Sequence, residues 1–380
     1  MVEIDKKPYS IVLKDSYTYE EILKAYFDCR RRKRSKNPAV YFESNFEKYL
    51  YTLLDEINSG TYKVGVSKVF VITYPKVREV WAASFRDRIV HHLLYNHIGI
   101  WFEKHFITDT YSCIKGRGTS AASGKVIKYL RKVTQNWSTN AWCLQLDIAN
   151  FFVSINRNIL WNCLEKYIGT ESTTAKITKQ IVFNDPTRNY ICTTPDLLQL
   201  VPKHKSLLSC SSNYGLPIGN LTSQSFSNIY LDAFDKYMKH ILKIKYYIRY
   251  VDDILILSKD KEELEPIREI ADEWLLSNRE LHFHPNKVHL FPANQTINFV
   301  GRIIKPFRSY PRRMVCEAVN KKFTDLTKNP LDKKLLSACN SYLGILKSTN
   351  TYKYRSKLCS KIDLPTIITP SVSKIKLIRI

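Results

Sequence analysis

The residues best suited to chemistry in this 380-residue chain are three aspartates set against apolar runs. In Tyr246-Tyr247-Ile248-Arg249-Tyr250-Val251-Asp252-Asp253-Ile254-Leu255-Ile256-Leu257, two strand-forming stretches flank Asp252 and Asp253. A segment this apolar tolerates charge only at a turn, so the pair is expected at the bend of a hairpin. An Asp-Asp pair on its own is more commonly a solvated turn, but the strands on both sides argue for a functional one. Asp147 ends the run Trp142-Cys143-Leu144-Gln145-Leu146 and precedes Ile148-Ala149-Asn150-Phe151-Phe152, which would deliver a carboxylate to the edge of a sheet. Asp147 and Asp252 could then jointly hold two Mg²⁺ ions, which favour hard oxygen ligands and need few protein carboxylates when substrate phosphates supply the rest. Ions about 3.5–4 Å apart would activate an attacking 3′ oxygen and steady a leaving pyrophosphate, which is the chemistry of nucleotidyl transfer.

A second constellation, Gly215-Leu216-Pro217-Ile218-Gly219-Asn220-Leu221-Thr222-Ser223-Gln224, leads into apolar residues at helical spacing from Phe226 to Ile241. Glycine lets backbone approach a base or sugar closely, and Thr222 is a fair N-cap. By itself this is a loop and a core-facing helix. His282, His284 and His289 lie close together, but no cysteine stands near them and a zinc site is not expected.

The scaffold for these residues reads as α+β. Thr18 with Glu21 forms a capping-box pattern opening a helix that runs to the cluster Arg30 to Arg34, either an RNA contact or a solvated helix end on the macrodipole. A second helix is expected over Tyr41 to Ile57, closed by Ser59-Gly60, so residues 1–60 form a helical N-terminal extension. From 61 to about 305, short β-rich runs such as Val66 to Tyr74 and Trp142 to Asp147 alternate with helical stretches. Beyond that, residues 306–380 should form basic amphipathic helices, including Val315 to Leu326 and Leu331 to Leu346.

The net charge of +24 would repel itself unless an anionic partner shared the surface, nucleic acid being the commonest. More than half of it lies between Arg302 and Ile380, where eighteen lysines and arginines face four acids. That suits a sequence-independent grip on a duplex, with strong salt sensitivity. The nine cysteines are scattered with no Cys-x-x-Cys pair, as expected for reduced thiols in a cytoplasm. No apolar run is long enough to call for a membrane.

Taken in order, Asp147 with Phe151-Phe152, then Gly219-Asn220-Leu221-Thr222-Ser223-Gln224, then Tyr250-Val251-Asp252-Asp253, resembles the palm of a reverse transcriptase. Pro75-Lys76-Val77-Arg78-Glu79-Val80 with Phe85-Arg86-Asp87-Arg88, and Tyr111 to Thr119, resemble the preceding fingers motifs. His284-Pro285-Asn286-Lys287 and Asn298-Phe299-Val300-Gly301 resemble the later palm motifs. The resemblance implies a right-hand polymerase: fingers and a palm over 61–305, with an antiparallel sheet carrying the acids, then a helical thumb. It implies Asp147, Asp252 and Asp253, with the backbone of Ile148, as ligands of two Mg²⁺ ions, with Mn²⁺ as a substitute. Phe152 would exclude a ribose 2′-OH and so favour dNTPs. Arg78 and Lys76 would meet the triphosphate, beside Gln224. Ile218, Gly219, Ser223 and Gln224 would face the templating base, and Tyr250, Val251, Lys287 and Gly301 complete the motifs.

Ile218 and Gln224, together with Pro202-Lys203-His204-Lys205-Ser206-Leu207, are similar to the enzymes of diversity-generating retroelements. That subgroup implies a bacterial cytoplasm, with the gene carried by the cell, a phage or a prophage. It also implies a template-repeat RNA, an RNA/DNA primer–template duplex and a small basic accessory variability protein. The product would be adenine-mutagenised cDNA that replaces a variable repeat, in mutagenic retrohoming. Two alternatives stay open: another bacterial reverse transcriptase (retron, group II intron-like or phage-defence), or a catalytically silent RNA-binding palm.

Overall fold

The computed structural model describes residues 11, 13–362, 366–369 and 371–377. The chain forms two compact units, each assembled from separate stretches of sequence.

The first unit takes in residues to 114, 146–245 and 266–288. Its helix Tyr19–Arg30 opens with the expected capping box, Glu21 Oε2 accepting from the Thr18 N–H at 3.0 Å. Ile22, Ala25, Tyr26 and Cys29 line its buried face at helical spacing. Of the arginine cluster, Arg30 and Arg34 both pair with Glu43. The single helix expected over Tyr41 to Ile57 is instead two, Asn37–Glu43 and Phe46–Asn58. The break has a local cause: Ser44 Oγ donates to the Tyr41 carbonyl at 2.8 Å, and Asn45 leaves helical geometry at φ −140°. Ser and Asn side chains compete for backbone hydrogen bonds in this way. These helices share one core with Phe85, Ile89, Val90, Leu93 and Leu94 of the helix Phe85–Leu94.

A small sheet in the same unit places Ser67–Ile72 between Arg78–Ala82, antiparallel, and Tyr190–Cys192, parallel. The helix Leu221–Lys236 begins one residue after Asn220, so Thr222 is not its N-cap. Asn220 Oδ1 accepts from the Ala83 N–H at 3.1 Å, while Thr222, already inside the helix, pairs its hydroxyl with His91 Nδ1 at 2.6 Å.

The second unit takes in residues 115–145, 246–265 and 289–380. Four strands of one sheet lie in it in the order Tyr246–Tyr250, Asp253–Ser258, Trp142–Asp147, His289–Pro292, the third extending into the first unit at its last two residues. The helix Thr119–Val133 packs against the first two. A three-stranded meander follows, Ile297–Phe299, Arg302–Lys305 and Arg308–Pro311. Its second hairpin crosses residues 305–306, where the start of a helical thumb is expected. Arg302, buried, donates to the hydroxyls of Ser120, Ser123 and Ser348, tying the meander to two helices. Helices Arg313–Lys328, Lys333–Lys347 and Tyr352–Cys359 then enclose a core including Val319, Phe323, Cys339 and Leu343. A short antiparallel pair, Thr366–Ile368 with Ile375–Leu377, adds β structure to a stretch expected to be helical. Among the described residues no helix is long and apolar enough to cross a membrane.

Candidate active site

In the first unit Asp147 is the last residue of the strand Trp142–Asp147, as expected. Lys287 Nζ reaches its Oδ1 at 2.5 Å, and its carbonyl accepts from the His284 N–H at 2.7 Å. The Ala149 N–H donates to the His282 carbonyl at 2.9 Å, so Ile148 stands opposite Phe283 in a bridge whose bonds belong to its neighbours. That bridge does not use the Ile148 carbonyl. The sequence motif containing Lys287 is thereby placed on Asp147, a pairing that no spacing in the sequence announces.

Asn150, at φ +47°, turns the chain into the short helix Phe151–Ser154. Phe151 is buried and Phe152 half-buried, and the Phe152 carbonyl accepts from the Leu216 N–H at 2.8 Å. This joins the aromatic pair to the glycine loop. The loop is held in turn by the strand Arg78–Ala82, where the Trp81 N–H donates to the Ile218 carbonyl at 2.7 Å. Gly219 has φ +127°, and a Cβ there would lie 2.8 Å from the Trp81 carbonyl oxygen and 2.9 Å from Val80 Cγ1. Only glycine fits. Ser223 is buried, whereas Gln224, Lys76 and Arg78 are exposed and Ile218 is half-buried.

Two of the three clustered histidines have other partners: His282 Nδ1 lies 3.6 Å from Asp272, and His284 Nδ1 accepts from the Asn286 N–H at 3.2 Å.

In the second unit Tyr250 pairs with Asp253, leaving Val251 and Asp252 as a two-residue hairpin loop. Asp252 stands in the bend as expected, while Asp253 opens the second strand rather than the turn. Val251 adopts φ +58°, an outlier for a β-branched residue. Arg249, fully buried in the strand, donates from Nη1 to the Val251 carbonyl at 3.0 Å and braces the turn. The strand pattern alone does not mark Arg249, although a guanidinium inside so apolar a run must be anchored somewhere. Val300 (φ +44°) and Gly301 (φ +81°) form a second two-residue loop, between Ile297–Phe299 and Arg302–Lys305.

Among the described residues no group of three or more His, Cys, Asp or Glu side chains is spaced to hold a metal. Asp147 at its strand end and Asp252 at its hairpin each offer carboxylate oxygens, which are hard ligands. Oxygen donors of this kind fit hard divalent cations better than zinc, which favours nitrogen and sulfur ligands.

Residues 75–304 match the family described as reverse transcriptase (RNA-dependent DNA polymerase). The chain belongs to the reverse transcriptase family. The matched stretch holds Asp147, the glycine loop, the Asp252-Asp253 hairpin, Lys287 and Gly301, and its fold is mixed α+β. A nuclear intron maturase of Arabidopsis thaliana, mitochondrial maturase 4, is 24% identical over 234 residues. That alignment takes in 60% of the chain and 25% of the maturase, so the chain spans about a quarter of that relative's length. Among solved structures it is similar to apo telomerase from Candida tropicalis (TM-score 0.47, 10% identity, 66% of this chain and 55% of that one). Telomerase from Candida albicans with a fragment of telomeric RNA gives a TM-score of 0.45 at 13% identity, over 79% and 57% of the two chains.

Proposed function

We propose that this chain is an RNA-directed DNA polymerase of a diversity-generating retroelement, copying a template-repeat RNA into adenine-mutagenised cDNA by two-metal-ion nucleotidyl transfer. One observation carries the polymerase reading: the family match encloses acids that end one strand and turn another, positions from which a carboxylate can reach a substrate. The residues Ile218 and Gln224 carry the subgroup.

Asp147, Asp252 and Asp253, with the Ile148 carbonyl, would hold two Mg²⁺ or Mn²⁺ ions. When bound, these supply activation of the primer 3′ oxygen and charge stabilisation of the departing pyrophosphate. The protein's own residues do the rest. Lys287 keeps the Asp147 carboxylate paired and oriented, and its half-exposed side chain can swing clear when other cations arrive. Arg78 and Lys76 offset the triphosphate charge, Arg78 with a planar fork suited to phosphate oxygens. Phe152, fixed through its backbone to the glycine loop, narrows the sugar site against a 2′-OH. Arg249 fixes the turn that presents Asp252. Ile218 and Gln224, replacing a more usual Gln and Pro, alter volume and hydrogen bonding beside the templating base, and a looser pocket discriminates less.

The partners are the template RNA, the primer–template duplex gripped by the basic C-terminal helices, dNTPs and an accessory variability protein, within the cytoplasm of a bacterial cell. The test is to sequence cDNA made by the purified chain with its cognate RNA and accessory protein. DNA product with errors concentrated opposite template adenines is expected. Ordinary fidelity there would remove the retroelement subgroup and keep the polymerase, whereas no DNA product under those conditions would remove both.

A further inference from the structure

We propose that Glu79 is a positioning residue: a buried latch that fixes residues 203–209 to the Arg78 strand and thereby sets the glycine loop proposed to face the templating base. The proposal rests on the polymerase reading above for its effect on catalysis, but not for its geometry.

Glu79 is 2% exposed. Residues two apart on a strand share a face, so Glu79 and Trp81 both point inward while Arg78 points to solvent. Glu79 Oε1 accepts from Trp81 Nε1 at 2.9 Å and from the Leu207 N–H, and Oε2 accepts from Ser206 Oγ at 2.8 Å. All three donors are neutral. Burying a carboxylate on such terms is costly, and an apolar side chain would fill the space at less cost. What the carboxylate adds is direction, three acceptor bonds that place two distant segments in one register.

The consequences reach the site. Leu207 packs with Val69 and Trp81, and Gly215 makes room for it, since a Cβ there would lie 2.4 Å from Leu207 Cδ1. Trp81, whose ring Glu79 holds, donates its backbone N–H to the Ile218 carbonyl and lies against Gly219. Residues 203–209 and the Arg78 strand therefore meet at one carboxylate, and the loop 215–224 rests on the Trp81 and Leu207 that it holds. Arg78, on the opposite face of the same strand, is the proposed triphosphate contact. Loosening the latch should disturb nucleotide binding and base selection together, while leaving the acids in place.

The experiment uses the full chain with its RNA template and compares Ser206→Ala, Ser206→Thr and Glu79→Gln. Steady-state single-nucleotide incorporation is read alongside amide hydrogen exchange at Trp81 and Leu207. Ser206→Ala should raise the KM for dNTP about tenfold with a smaller change in kcat, and shift the misincorporation spectrum, because one charged hydrogen bond is lost. Ser206→Thr, which keeps the hydroxyl, should restore both, and Glu79→Gln should exceed Ser206→Ala. Both amides should exchange faster in Ser206→Ala and Glu79→Gln. Unchanged exchange at Trp81 in these two variants would overturn the latch. Faster exchange with unchanged KM and error spectrum would overturn its role in positioning. If the wild-type chain itself made no DNA, the polymerase reading would fail, and exchange alone would decide the latch.

Discussion

Phe152 is held at two ends: its ring lies 5.5 Å from that of Phe151, and its carbonyl is bonded to Leu216. A side chain so fixed can exclude an oxygen atom rather than yield to it. Phe152→Ala should therefore lower discrimination between dNTP and rNTP by about 10- to 100-fold, mostly by gaining ribonucleotide incorporation, as competition between the two nucleotides would show. The acids that flank the apolar runs could be read from residue type alone, because charge in a strand is expensive unless it lies at an end. Val251 could not. Valine disfavours positive φ, so nothing in Tyr250-Val251-Asp252-Asp253 predicts φ +58°. The conformation is held by a bond from Arg249, which sits two positions earlier and faces the core.

Elements are legible where a local rule is strong. The capping box at Thr18 and Glu21, the strand Trp142–Asp147 and the hairpin through Asp252 all follow from patterns within a few residues. The split at Ser44-Asn45 and the helix start at Asn220 follow from competition between side chain and backbone, which apolar periodicity does not register. The glycine loop shows the same limit. Gly219 looks permissive in sequence, yet it is required by the Trp81 carbonyl, which is far away along the chain. Gly219→Ala should cost about 2 kcal/mol or more, since it combines an unfavourable φ with a backbone clash, and chemical denaturation would measure it. A loss within about 0.5 kcal/mol would show that the loop moves freely off the Arg78 strand.

For the whole molecule, composition points to an anionic partner, with more than half of the +24 charge lying after Arg302. The division into compact units is not legible, because each interleaves three stretches of chain joined by strand pairing and helix packing across long separations. Acid stability is also a property of the packed fold. Burial lowers the pKa of His91 from its ordinary 6.5 to about 3, with neighbouring His92 and Arg88 adding to the effect. The unfolded chain binds this proton below pH 6.5 and the folded chain does not, so stability should fall as pH drops from about 6.5 toward 3. The slope from His91 is at most about 1.4 kcal/mol per pH unit. Urea titrations at stepped pH should show a shallower decline in His91→Gln than in wild type, and parallel declines would exclude His91 as a contributor. The central proposal, that polymerisation needs the carboxylates at both 147 and 252, is tested most directly by single-turnover primer extension with RNA template, DNA primer, dNTPs and Mg²⁺. Asp147→Asn and Asp252→Asn are each predicted to lose about a thousandfold or more while unfolding at the wild-type temperature. Extension by either variant at the wild-type rate would contradict the account.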